Sequence, residues 1–180
     1  MVGLGNPGEE YERTRHNLGA EVVEAVAARR GQRLRPEKGT RAVVAQSRLD
    51  GRLVVLAVPQ TYMNESGLAA VALMKRFRVP GADRLVVVHD ELDLPSGRVK
   101  VKVGGGTAGN NGLKSIHAHL HDPGYLRIRI GIGKSSDAYF PDDAVRVLGA
   151  MVGEPVSAER RRILPLQFSE HAARLGFGCR

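Results

Sequence analysis

The run Leu85-Val86-Val87-Val88 places four apolar side chains in succession, with no polar residue alternating between them. Neighbouring residues of a strand point to opposite faces, so such a strand is covered on both sides. Helices are what cover both faces of a parallel sheet. This one run, continued by His89, therefore points to layers of helix and sheet. The rest of the chain supplies the partners. Residues 1–4 read as a strand, and residues 18–30 as a helix stopped by Gly31. Residues 41–48 and 52–58 read as two strands about an Asp50-Gly51 hairpin turn, with Pro59 ending the second. A helix over 66–77 ends at Val79-Pro80. Strands over 98–103 and 127–132 are separated by a helix over 113–120, and residues 142–148 and 157–175 have helical character. The expected fold is α/β: a single domain over residues 1–180, built on a twisted mixed β-sheet flanked by helices.

Composition narrows the partners. Hydrophobic residues make up 42% of the chain, enough for a globular core. Aromatic residues are only 4%, with no tryptophan, so a binding mode built on stacked bases is poorly supplied. A net charge of +8 favours a polyanion such as nucleic acid. The one cysteine, Cys179, excludes an internal disulfide framework. No apolar run reaches the ~18 residues of a membrane span, and no leader precedes the first strand. The expected compartment is the cytoplasm.

The first seventeen residues hold the densest chemistry. Gly3-Leu4-Gly5-Asn6-Pro7-Gly8 follows a short strand, and Thr14-Arg15-His16-Asn17 arrives just before a helix. The glycines also fit the dinucleotide fingerprint, but that motif needs a helix opening at the third glycine. Here Glu9, Glu10 and Glu12 follow it, beside where a phosphate would lie, and the better helix start is Asn17 as a cap. Asp90 ends the strand that begins at Leu85. His89 adjoins it but points to the opposite face, so His16 is the better partner for Asp90. Asn64, in Thr61-Tyr62-Met63-Asn64-Glu65-Ser66, is either a helix cap with Met63 as core, or a site amide at a strand's carboxyl end.

The cations are patterned. Arg98, Lys100 and Lys102 alternate with valines, and Arg127 and Arg129 with isoleucines, which puts each cationic set on one strand face. Residues 98–134 hold seven cations against one anion, Asp122. Beside them, residues 104–109 have P-loop glycine spacing, but Asn110-Asn111 stand where a Lys-Ser/Thr pair is required. A cationic face next to a glycine loop reads as an anion-binding surface. His117, His119 and His121 lack an H-E-x-x-H pattern or other ligands nearby, and read as a solvated helix end.

Taken together, these segments resemble the bacterial peptidyl-tRNA hydrolase family. The matching pieces are residues 2–8, Tyr11, residues 14–17, residues 61–64, Ser66-Gly67, residues 89–95, residues 104–114 and residues 129–133. The resemblance implies a monomer that cleaves the ester between a peptide and the terminal ribose of tRNA, recycling tRNA after abortive translation. It implies peptidyl-tRNA as the partner, no obligate protein partner, and neither metal nor organic cofactor. Carried over by position, His16 is the base, Asp90 its orienter and Asn6 a catalytic amide. Tyr11, Met63, Asn64 and Asn111 bind substrate, and Lys100, Lys102 and Arg129 are the cations for tRNA phosphate. The family usually has histidine where Asn110 stands, so Asn111 takes the site-amide role and Asn110 is expected to tolerate change. Thr107-Ala108 is an uncommon pairing, Val58 replaces a frequent lysine, and the part from about residue 151 matches poorly. Two other readings stay open: a non-catalytic RNA-binding relative akin to chloroplast splicing factors, and a nucleotide-dependent enzyme.

Overall fold

The computed structural model describes residues 1–49 and 52–133. Seven strands form one mixed sheet: β1 (Val2–Gly3), β2 (Arg35–Glu37), β3 (Ala42–Leu49), β4 (Arg52–Pro59), β5 (Val86–Glu91), β6 (Val99–Val103) and β7 (Leu126–Gly131). Three α-helices join them: α1 (Leu18–Arg29), α2 (Ser66–Arg76) and α3 (Asn111–Leu120). The spatial order is β2-β3-β4-β1-β5-β7-β6. β4, β1, β5 and β7 run parallel, whereas β2, β3 and β6 are antiparallel to their neighbours. Four carboxyl-terminal strand ends thus face one edge of the sheet, where open α/β folds place ligands.

The expected strands and helices are present over the described residues. β2 was not expected. Its sequence, Arg35-Pro36-Glu37, has no apolar alternation, and it pairs with β3 at the sheet's edge, the place where proline is tolerated in a strand. The Asp50-Gly51 turn lies outside the described residues, although β3 and β4 pair up to Leu49 and Arg52 as a hairpin requires. The helices expected over 142–148 and 157–175, the segment from about residue 151 and Cys179 also lie outside them.

β5 is buried at all six positions, as its apolar run demands. Val86 and Val88 pack toward α1 with Val22, Val23, Val26, Leu56, Ile128 and Ile130. Val87 faces the other layer, among Leu4, Leu73, Leu113, Ile116 and Tyr125, beneath α2 and α3. Two contacts set the helix spacing. A Cβ on Gly19 of α1 would collide with the backbone oxygens of Val88 and Leu4, so only glycine lets that helix sit so close to β1 and β5. Gly67 of α2 meets the backbone of Ser115 in the same way, and its N–H donates to Ser115 Oγ at 2.9 Å. Among the described residues, no helix is long and apolar enough to cross a membrane.

Candidate active site

His16 lies on a one-turn 3-10 helix, Arg15–Asn17, immediately before α1, and Asp90 is the fifth residue of β5. Their side chains meet at the sheet's carboxyl edge, with His16 Nδ1 2.8 Å from Asp90 Oδ2. The carboxylate is an acceptor, so Nδ1 donates to it, and in a neutral imidazole Nε2 then keeps its lone pair. The imidazole is 58% exposed and the carboxyl only 8%, so the pair has a buried end and an end open to a ligand. Burial raises the Asp90 pKa, and the hydrogen bond from His16 opposes that rise. His89 plays no such part. It is buried, its Nδ1–H donates to the Asp90 carbonyl at 2.6 Å, and desolvation holds its pKa near 4.

Asn6 sits at the end of the β1 turn with its amide orientation fixed. Its Oδ1 accepts from the Met63 N–H at 2.7 Å, which leaves the NH2 end to donate. Its backbone is clamped by Asn17: the Asn6 N–H donates to Asn17 Oδ1, and Asn17 Nδ2 donates to the Asn6 carbonyl, both at 2.8 Å. Asn17 was expected as a helix cap. It makes no side-chain cap bond and is instead a buried brace for Asn6. Its place directly after His16 was the available signal, and the sequence alone did not separate brace from cap.

Met63 leans over the start of α3, with its sulfur against Gly112. Asn64 is exposed within the turn Met63–Glu65, and Tyr11 is half-buried at the end of the turn Glu9–Tyr11. The capping role considered for Asn64 is not realised: α2 has no side-chain cap bond, and Ser66 Oγ donates to the Met63 carbonyl. The Asn110-Asn111 pair departs from expectation. Asn110 is the engaged residue: its Oδ1 caps α3 by accepting from Leu113 N–H at 3.0 Å, and its Nδ2 lies 3.5 Å from Asp90 Oδ1. Asn111 is exposed, with Lys114 Nζ 3.4 Å from its Oδ1.

The register puts Lys100 beside Arg129 and Lys102 beside Arg127 on one face. Lys100 and Lys102 are exposed as expected. Arg129 is partly committed: its Nε and Nη2 both lie 3.0 Å from Oε2 of the buried Glu91. Arg127 is no part of an exposed surface at all, since it is buried and its guanidinium donates to the carbonyls of Gly104 and Gly106. Sequence alternation marks a face but not the depth at which a side chain ends. The histidine triplet is likewise not a solvated end throughout. His117 packs edge-on against Tyr125 at 5.5 Å between ring centroids, and His119 Nδ1 bonds the Ser115 carbonyl. His121 is the left-handed residue that ends α3. Among the described residues, no three His, Cys, Asp or Glu side chains gather to hold a metal.

A histidine bonded to a buried carboxylate and an amide of fixed orientation thus meet at the carboxyl edge of the sheet, and β6 carries exposed lysines. The family model for peptidyl-tRNA hydrolase matches residues 1–161. The chain is 48% identical to a peptidyl-tRNA hydrolase of Nocardia farcinica, across 92% of this chain and 82% of that one. It is 53% identical to another of Mycobacterium ulcerans, across 74% and 70%. The fold superposes on the crystal structure of peptidyl-tRNA hydrolase from Acinetobacter baumannii with a TM-score of 0.70 and 36% identity, across 90% of this chain and 78% of that one. The chain belongs to the peptidyl-tRNA hydrolase family, and it is a hydrolase of that class.

Proposed function

We propose that this enzyme cleaves the peptide–ribose ester of peptidyl-tRNA by attack of a water that His16 activates. The observation that carries the reading is the 2.8 Å His16–Asp90 contact, with an exposed imidazole at the carboxyl ends of the strands. Nε2 takes a proton as the water oxygen bonds to the ester carbonyl carbon. Asp90 holds the tautomer and stabilises the imidazolium. The Asn6 NH2 donates to the substrate carbonyl, whose oxygen gains charge in the transition state. As the intermediate collapses, the bond to the ribose oxygen breaks and that oxygen takes the proton from His16. The products are a peptide acid, whose carboxyl proton passes to solvent, and tRNA with a free terminal hydroxyl.

Tyr11, Met63, Asn64 and Asn111 serve as the contacts for peptide and terminal nucleotide, and Lys100, Lys102 and Arg129 grip phosphate. The residues act as a monomer in the cytoplasm, where tRNA is found, on one domain and with no metal in the step. The test is release of free tRNA from an N-blocked aminoacyl-tRNA, with and without EDTA. The proposal requires equal rates in both, and loss of the rate with chelator would overturn the metal-free step. A non-catalytic RNA-binding role is disfavoured by the assembled His16–Asp90 pair, and would show as tRNA binding without release.

A further inference from the structure

The loop over residues 104–110 joins the cationic strand β6 to α3, and its composition leaves little to hold it. Gly104, Gly105 and Gly106 have no side chains to pack, and the first two adopt φ of +62° and +85°. An unrestrained glycine segment samples many conformations. The loop nevertheless ends at Asn110, which caps α3 and faces Asp90. Beneath it lies the Arg127 guanidinium, 2% exposed. Nη1 donates to the Gly106 carbonyl at 2.7 Å and Nη2 to the Gly104 carbonyl, while Nε is buried without a partner. A planar fork can hold two carbonyls in a fixed relation, whereas an ammonium acts as a point charge.

We propose that Arg127 is a positioning residue for the hydrolysis: its fork latches the glycine loop in the arrangement that keeps Asn110 against Asp90. It touches no substrate. This inference rests on the reading of His16–Asp90 as the reacting pair. Without the latch the loop spends only part of its time in the competent arrangement, and turnover falls by that fraction.

The test uses the full chain with Arg127→Lys, Arg127→Met and, from the loop side, Gly105→Ala. Gly105 is exposed, and a Cβ there would be strained at its positive φ and lie 2.7 Å from Lys102 Cε. The expected result for Arg127→Lys is a roughly 10–100-fold loss of kcat, KM within a few-fold and an unchanged salt slope of tRNA binding, measured well below Tm. Gly105→Ala should reproduce the kcat loss, with Tm lowered only by the strain of an alanine at positive φ. If the Arg127 variants fail to fold, Gly105→Ala decides alone. Full kcat in folded Arg127→Lys, or in Gly105→Ala, overturns the proposal. So does a salt slope lowered by about 0.7–0.9 with kcat retained, which marks a phosphate contact instead. His16→Ala, assayed alongside, reports on the reacting pair, so the two readings fail separately.

Discussion

Asp90 is a carboxyl whose charged form the fold makes more costly to hold. Burial raises its pKa above the ordinary 3.8, and the His16 hydrogen bond recovers part of the difference. The native state therefore binds this proton more tightly than the unfolded chain does. Its contribution falls as pH rises from 3.8 through the folded pKa, and the full penalty applies above that. Asp90→Asn carries no charge at any pH, so at pH 7 it should raise Tm while lowering turnover about 10-fold or more. A lowered Tm would contradict this account of the carboxyl. His16→Ala should reduce turnover by roughly 10²–10⁴-fold with tRNA binding nearly intact, because it removes a base and not a phosphate contact. Turnover close to normal in the purified variant would refute the assignment. His16 and Asp90 were legible as partners because strand parity excluded His89. Asn17 was not, since a carboxamide before a helix satisfies a cap and a brace equally well until the loop it braces is placed.

At the scale of elements, the start of α3 separates two adjacent asparagines. Asn110→Ala removes a helix cap worth about 1 kcal/mol and withdraws the amide from Asp90. It should lower both stability and kcat. Asn111→Ala should leave stability within about 0.5 kcal/mol, because its side chain is exposed. Its effect on kcat measures how far its amide serves the substrate. Thermal melts and single-turnover rates on the two variants check both statements, and a stability loss confined to Asn111 would reverse them. The element pattern was mostly readable from apolar periodicity, with β5 the clearest case. β2 was not, because an edge strand of Arg-Pro-Glu is specified by its partner β3 and carries no pattern of its own.

At the scale of the molecule, the cationic face is smaller than alternation suggests. Lys102→Ala should raise KM and lower the salt slope of tRNA binding by roughly 0.7–0.9, the signature of one lost phosphate contact. Arg129→Ala should differ. It strips the partner from buried Glu91 and should cost stability on the order of 2 kcal/mol in addition to any loss of binding. Equal Tm for the two variants would show that the Arg129–Glu91 pair contributes nothing. The order of the sheet has a further consequence, for the newborn chain. Among the described residues, Val2 pairs with Ala57 and Val87, and β5 in turn pairs with β7 beyond it. β1 precedes both of its partners in sequence and is thus unpaired until the ribosome has made β4 and β5, whereas the β3–β4 hairpin can close from local sequence alone. Ribosome-arrested chains ending before β5 should leave the amino-terminal turn open to protease, and those extending past β7 should protect it. The turn that carries Asn6 is the first part of the site to be translated and among the last to acquire its shape.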